Sequence, residues 1–182
     1  MDRPFAAGSG GLGFAGDGRR RVTELYGAFR RSQNDADRDT ADLVARLGVL
    51  TGLDIEFDDA EGRLLLAGLG GDEDAIYAVP VALDRIAYAV LPNGGGQIAA
   101  PGPDGLLMVH VQTETGLLAL CGVVGDSVEA VDLVVSGVIH QARMGENAFG
   151  LRLERTHSDD VERIVLRRRD GTTNEFALSP ED

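Results

Sequence analysis

The stretch that decides the fold runs from Asp104 to Arg143 and reads DGLLMVHVQTETGLLALCGVVGDSVEAVDLVVSGVIHQAR. Its first half contains two nearly continuous apolar runs, 106–111 and 117–124, with a polar turn at 113–116 between them. Runs of this length and composition are typical of strands that are buried on both faces. The first half therefore predicts two central strands of a sheet.

The second half of the stretch repeats its apolar residues at helical spacing. These residues are Val128, Val131, Val134, Val135, Val138, Ile139 and Ala142. The pattern predicts an amphipathic helix that opens with a capping box at Asp126 and Glu129 and ends at Gly145. The opposite, polar face of this helix is a candidate interaction surface, and it carries Glu129, Asp132, His140 and Arg143.

A helical period also precedes the stretch, from Val22 to Leu47, with a polar break at 32–35. It predicts two short helices or one bent helix, with Asp35 as the N-cap of the second part and an end near Gly52. Period-two alternation then predicts a strand at 53–57 and a return strand at 64–67.

Residues 72–91 allow two interpretations. Their apolar residues fall on one helical face, and the acidic residues at 72–74 suit the first turn of a helix. Pro80 opposes this interpretation, because a proline inside a helix removes a hydrogen bond. We favour the helix, and the alternative is a pair of strands at 76–82 and 85–91.

The chain after Gly150 predicts a C-terminal β meander. Leu151 and Leu153 alternate with polar residues, and a hairpin across Asp170–Gly171 pairs 161–169 with 172–178. Ahead of that turn lies the strongest local basic patch, which completes the candidate interaction surface. It consists of Arg167, Arg168 and Arg169.

These patterns divide the chain into a flexible glycine-rich tail at 1–18, an α+β core at 19–146 and the β-meander extension with its polar end at 147–182. In the tail, Gly8, Gly10 and Gly13 match a dinucleotide-binding spacing, but no strand precedes them, and we interpret them as part of a linker.

The composition limits the classes of function. The net charge of −13 argues against broad contact with nucleic acid, whose phosphates require positive charge. The single cysteine, Cys121, cannot form an internal disulfide, and no apolar run approaches the roughly 20 residues of a membrane span. We therefore expect a soluble cytoplasmic protein without a membrane span.

Residues that carry chemistry are few and do not converge on one place in the sequence. His110 alternates onto an apolar strand face, His157 lies in an acidic turn, and Cys121 sits in an apolar run. The chain has no phosphate-binding loop with lysine, no serine elbow and no paired metal motif. We predict no catalytic residue, no cofactor and no metal, and hence a protein that is not an enzyme; a hydrolase built around His110 or His157 is the competing hypothesis.

With a further short strand predicted at 97–100, the predicted order is helix, strand, strand, helix, strand, strand, strand, helix. With the sequences of 43–52, 54–67, 104–111 and 116–121, this order resembles the roadblock/dynein light-chain family of longin- and profilin-like domains over about residues 35–144. The resemblance implies a profilin-like α+β fold with a central, mostly antiparallel sheet of about five strands and flanking helices. It also implies a non-enzymatic regulatory or scaffold module that forms homodimers and binds another protein, with a small GTPase as the expected partner.

A second resemblance rests on residues 77–81 and 86–91, which look like the paired strands beside the ligand pocket of GAF or PAS sensory domains. It implies a small-molecule sensor. Because it requires strands where we favour a helix, the secondary structure of 76–91 separates the two hypotheses.

Overall fold

The structure is a computed structural model that describes residues 22–53, 58–68, 74–82, 84–91, 96–114 and 117–178. The predicted tail at 1–18, most of the predicted strand at 53–57 and the polar C-terminal end lie outside these residues. The side chains of residues 109–114 and 158 lie outside them as well.

The N-terminal helical segment consists of two helices, as one of the two predictions had it. They are α1 (Val22–Leu25) and α2 (Asp35–Leu47), with a 3₁₀ turn at Gly27–Arg30 between them. The N-cap of α2 is Asn34 rather than Asp35. The side chain of Asn34 accepts from the Asp37 N–H at 2.9 Å, and Asp37 accepts from the Asn34 N–H at 2.8 Å, which completes a capping box.

Twelve strands are present in the described part of the chain, in three antiparallel sheets of four strands each. Sheet 1 has the order β1-β2-β3-β4 and consists of β1 (Arg63–Ala67), β2 (Ala75–Ala82), β3 (Arg85–Leu91) and β4 (Gly96–Ala99). Sheet 2 has the order β5-β6-β10-β9 and consists of β5 (Leu107–Glu114), β6 (Leu117–Val123), β9 (Arg143–Met144) and β10 (Ala148–Glu154). Sheet 3 has the order β12-β11-β7-β8 and consists of β7 (Val128–Val135), β8 (Val138–Gln141), β11 (Val161–Arg168) and β12 (Thr173–Ala177).

The helix favoured for residues 72–91 is wrong, and the alternative pair of strands is present as β2 and β3. Both faces of β2 are covered, since Tyr77 and Val79 pack toward α2 while Ile76 and Ala78 pack toward sheet 2. A strand that is apolar on both faces loses its alternation, which is why the helical period could be fitted to it. Pro80 is tolerated because it lies beyond the residues of β2 that pair with β1.

The amphipathic helix predicted at 126–143 is also wrong. Residues 128–141 form the β7–β8 hairpin, in which Val135 pairs with Val138 across the turn at Ser136 and Gly137. The φ angles of Ser136 and Gly137 are 47° and 75°, and two positive φ angles define the tight turn whose twist fits a hairpin.

The C-terminal residues do not form a separate meander, so that prediction is wrong as well. β10 belongs to sheet 2, whereas β11 and β12 belong to sheet 3. The predicted hairpin across Asp170–Gly171 is confirmed, with Leu166 opposite Asn174 and Gly171 at a φ of 85°.

Sheets 2 and 3 have the strand order of an immunoglobulin-type sandwich. In that notation sheet 2 is A-B-E-D and sheet 3 is G-F-C-C′. β8 and β9 are consecutive parts of one extended segment that leaves sheet 3 for sheet 2 at Ala142. The chain has one cysteine and no tryptophan, so it lacks the disulfide and the strand-C tryptophan of antibody domains.

The molecule is therefore a stack of four layers rather than a profilin-like α+β domain with about five strands. α2 covers one face of sheet 1 around Val44 and Leu50, and the other face of sheet 1 packs on sheet 2 around Ile86 and Cys121. The opposite side of sheet 2 packs on sheet 3 around Phe149. Within the described residues, no further helix or sheet packs on the outer face of sheet 3.

Residues 22–30, which contain α1 and the 3₁₀ turn, connect sheet 1 to the sandwich formed by sheets 2 and 3. The Tyr26 hydroxyl donates to the Gly105 carbonyl at 2.7 Å, and the Gly27 N–H donates to the Asp126 carboxylate at 2.6 Å. The next N–H, of Ala28, donates to the Asn147 side chain at 2.9 Å. Three consecutive residues thus bind three separate turns of the sandwich.

Candidate interaction surface

β8 is an edge strand, since the only described strand with which it pairs is β7. The Ala142 N–H donates to the Val131 carbonyl at 2.8 Å, which fixes the alternation of hydrogen bonds along the pair. Val138 and His140 therefore direct their backbone groups toward β7. The N–H and C=O groups of Ile139 and Gln141 therefore point away from β7, out of the edge of the sheet and in its plane.

The side chains of β8 are unusually exposed for their type. Ile139 is 68% exposed and Val138 is 56% exposed. Among the described residues, the one other large apolar side chain with comparable exposure is Leu47 at the end of α2, at 47%. Two of the three such residues are thus neighbours on one sheet edge, where proteins usually place charge, proline or a covering segment.

The surroundings of β8 are locally neutral although the chain carries a net charge of −13. Residues 136–142 contain no Asp, Glu, Lys or Arg. Asp132, opposite Gln141, forms an ion pair with Arg167 at 2.9 Å. Glu162 accepts from the Gly137 N–H at 2.8 Å and lies 3.9 Å from Arg163. The nearby acidic groups therefore have partners of their own.

The hairpin that carries β8 is held in place from its tip. The Ser136 N–H donates to the Asp160 carbonyl at 2.9 Å, and the Gly137 N–H is bound by Glu162. The β7 half of the hairpin is anchored by the buried side chains of Val131, Leu133 and Val135. The edge is consequently a preformed strand rather than a flexible loop.

The structure brings together only part of the interaction surface that the sequence predicted. Asp132 and Arg167 lie on adjacent strands of sheet 3, on its outer face, and form the ion pair already described. Glu129 is exposed as the extra residue of a β-bulge in β7, where Val128 and Ala130 oppose consecutive residues of β11. His140 lies on β8, on the side of the sheet that faces the sandwich.

The other predicted arginines hold turns of the molecule together. Arg168 donates to both carboxylate oxygens of Asp104 at 2.7 and 2.8 Å, and Arg169 donates to the Asp126 carbonyl at 2.8 Å. Arg143 donates to the Gly68 carbonyl at 2.6 Å. The basic patch at 167–169 is therefore committed to internal contacts, and the predicted surface is divided among separate places.

Three carboxylates outside the predicted interaction surface are centres of hydrogen bonding. Burial alone would raise the pKa of Asp37, but hydrogen bonds from Arg31 and from the Asn34 and Leu64 N–H groups outweigh it and lower the pKa. Asp104 likewise has its pKa lowered against burial by Arg168 and Asn174. Asp126 has its pKa lowered against burial by Asn147, Arg30 and the Gly27 N–H.

Each of these carboxylates joins segments that are distant in sequence, and each accepts at least three hydrogen bonds. An ionised carboxylate with several hydrogen-bond donors is suited to structural stabilisation rather than to proton transfer. The signal in the sequence was the position of Asp104 and Asp126 in turns beside glycine, but their partners cannot be read from local pattern.

The remaining residues with reactive side chains, His110, Cys121 and His157, do not form a second candidate site among the described residues. His157 is exposed in its turn, and its N–H donates to Asp160 at 2.9 Å. Backbone pairing places His110 opposite Cys121 in sheet 2, while its side chain lies outside the description. No group of three or more His, Cys, Asp or Glu within the described ranges is arranged to hold a metal ion.

Comparison with protein-family models, with curated proteins and with solved structures finds no match for this chain. No helix in the described part of the chain has the length and apolar character needed to cross a membrane.

Proposed function

We propose that the protein is a non-enzymatic regulatory or scaffold module that acts through protein–protein interaction at the open edge of β8. The observation that carries this proposal is the pair of exposed apolar side chains, Val138 and Ile139, on an edge strand with unpaired backbone groups. A partner strand would add to sheet 3 through main-chain hydrogen bonds, with Ile139 as the apolar contact.

The chemistry of the edge favours a protein over other ligands. An exposed strand offers alternating N–H and C=O groups, which match another polypeptide backbone and not a nucleic-acid phosphate chain. The net charge of −13 opposes polyanions in general. Arg163 and Arg167, on the strand beyond β7, are paired with carboxylates, and Arg143, which follows β8, donates to the Gly68 carbonyl.

The partners expected from the sequence were a second copy of the chain and another protein, with a small GTPase among the candidates. The GTPase was implied by the resemblance to the roadblock family and by nothing else, and it stays a prediction. A cytoplasmic location likewise stays a prediction.

The test is affinity capture from the native cell, followed by measurement of the mass of each complex, with three forms of the protein. We expect the native protein and Leu47→Asp to give the same complexes, and Ile139→Asp to lose them. Leu47→Asp is the matched control because it charges another exposed apolar residue, at the end of α2 on the opposite side of the stack from sheet 3. Identical complexes with all three forms would reject the proposal.

A small-molecule sensor is the second candidate, because residues 75–91 form the two strands that this hypothesis requires. It predicts a stable monomer that captures no protein and whose thermal midpoint rises in the presence of a metabolite, since a ligand of the native state stabilises it by mass action. Loss of complexes with Ile139→Asp and no thermal shift with a metabolite library would exclude it.

A further inference from the structure

We infer that the strand added to β8 is β8 of a second copy of this chain, in antiparallel pairing about a two-fold axis at His140. This inference rests on the proposed function, because it names the partner that occupies the same edge. The result would be one continuous eight-stranded sheet made of two copies of sheet 3.

The backbone groups of β8 define the register. Ile139 and Gln141 direct their N–H and C=O groups outward. Placing Ile139 opposite Gln141 of the second copy, and Gln141 opposite its Ile139, satisfies all of these groups with four hydrogen bonds. His140 then faces His140 of the second copy as a pair without direct backbone hydrogen bonds.

The neighbouring registers are worse. An axis at Ile139 would pair Gln141 with Gly137 of the second copy, but the Gly137 N–H is already bound by Glu162 at 2.8 Å. An axis at Gln141 would require Arg143, which is paired with Gly150 in sheet 2. Only the register centred on His140 pairs the outward-facing backbone groups of one copy with the outward-facing backbone groups of the other.

The shortness of the edge favours a folded partner over a free peptide. β8 has four residues and so offers few hydrogen bonds, each of which contributes modestly in water. A free peptide would lose the conformational entropy of every residue that it orders on this edge. A second β8 is already held by its own hairpin, and two-fold symmetry repeats each contact, including the one made by Ile139.

The charge distribution favours a second copy at this place in particular. Two molecules that each carry a charge of −13 repel one another over most of their surface. Residues 136–142 carry no acidic group, and the acids beside them, Asp132 and Glu162, are engaged by Arg167 and by Gly137. The edge of β8 is therefore a surface across which identical copies can approach.

The register is tested by cross-linking His140→Cys under mild oxidation. Side chains in such a directly opposed pair have Cβ atoms about 4.5–5.5 Å apart, close to the spacing that a disulfide needs. We expect a covalent dimer with His140→Cys and no covalent dimer with the controls Gln141→Cys and Leu47→Cys. Cys121 is buried and common to all three, so it provides the same background in each.

Association itself is tested by analytical ultracentrifugation over a range of concentrations. We expect a monomer–dimer equilibrium for the native chain, retained in Leu47→Asp, and a dissociation constant raised at least about tenfold in Ile139→Asp, which brings a carboxylate to the strand edge in each copy. Circular dichroism checks that each variant is folded.

Two outcomes overturn the inference: a native chain that remains monomeric at every concentration, or a His140→Cys variant that cross-links no faster than Leu47→Cys. If the chain is monomeric but Ile139→Asp still abolishes a complex with another protein, the second copy is rejected and the proposed function stands. If Ile139→Asp changes neither the dimer nor any complex, both are rejected.

Discussion

At the scale of single residues, two buried tyrosines show how differently the same side chain can be accommodated. The Tyr26 hydroxyl donates to the Gly105 carbonyl at 2.7 Å, whereas the Tyr77 hydroxyl is buried and has no hydrogen-bond partner among the described residues. Burial raises the pKa of both phenols. Gly62 is required beside Tyr77, because a Cβ there would overlap the hydroxyl.

We predict that Tyr77→Phe leaves the free energy of unfolding unchanged or raises it by up to about 1 kcal/mol, since it removes an unsatisfied polar group. Tyr26→Phe is the matched control and is expected to lose about 1 kcal/mol, because it breaks a hydrogen bond and leaves a buried carbonyl unpaired. Urea denaturation of both variants measures the difference. A larger loss for Tyr77→Phe than for Tyr26→Phe would contradict this account.

At the scale of elements, the β7–β8 hairpin explains why the sequence suggested a helix. The extra residue at Glu129 adds one position between the inward-facing Val128 and Val131, which produces a helical step of three inside a strand. A bulge depends on the neighbouring strand and cannot be recognised from local spacing. The signal that was available was the Ser136–Gly137 pair between two valine-rich runs, since valine favours strands and Ser-Gly marks a turn.

Other elements were predictable because their signals are local. The Asp170–Gly171 hairpin was found from its turn residues, and the strands β5 and β6 of sheet 2 were found from their continuous apolar runs. For the candidate site, Asp132, His140 and Arg167 were named from the sequence, and the structure places them on three neighbouring strands of sheet 3. Asp132 and Arg167 lie on the outer face of sheet 3, whereas His140 lies on the face toward sheet 2. Side chains of a strand alternate between the two faces, and the predicted helix placed Asp132 and His140 on one face instead.

The turn of this hairpin can be tested by substitution. Ser136 adopts a φ of 47°, which asparagine tolerates better than serine, so Ser136→Asn is expected to raise the free energy of unfolding by about 0.5 kcal/mol. Gly137→Ala is expected to lower the free energy of unfolding by about 1 kcal/mol, because the φ of Gly137 is 75° and a residue with a Cβ is strained there. Steric overlap does not contribute, since the added Cβ has no described neighbour within 4 Å apart from the adjoining residues. Thermal denaturation of both variants measures the effects; equal effects of the two would contradict a turn with two positive φ angles.

At the scale of the whole molecule, Asp37 connects parts of three layers. Its carboxylate is fully buried and accepts from the Leu64 N–H of β1 at 2.8 Å and from Arg31 at 3.0 Å. Arg31 also donates to Glu146, in the turn between β9 and β10, at 2.7 Å. One carboxylate thus links α2, sheet 1 and sheet 2.

We predict that Asp37→Asn lowers the free energy of unfolding by about 3 kcal/mol at pH 7, because it leaves the partly buried guanidinium of Arg31 without its main counter-charge. The effect is expected to depend on pH. The folded-state pKa of Asp37 lies below its unfolded value of about 3.9, so its contribution is complete above that value and is lost as the pH falls through the folded-state pKa.

The measurement is the difference in unfolding free energy between the native chain and Asp37→Asn from pH 7 down to pH 2.5, which cancels effects common to both. Asp35→Asn is the control, because its side chain is 94% exposed and its ion pair with Arg38 lies at the surface. A difference for Asp37→Asn that does not shrink below about pH 4 would contradict the assignment of an ionised, buried carboxylate.

The three hydrogen bonds of residues 26–28 also set the order in which the molecule can assemble. Their partners lie 79, 99 and 119 positions further along the chain. At synthesis rates of about 5–20 residues per second, this segment leaves the ribosome several seconds before the last of these partners. Val22 and Tyr26 share their core cluster with residues of sheet 1, which are synthesised early, but also with Cys121, Val123 and Ala148, which are synthesised late. The sheets can form as they are made, but the stack closes only when synthesis has passed Asn147, so the earliest part of the described chain is among the last to be placed.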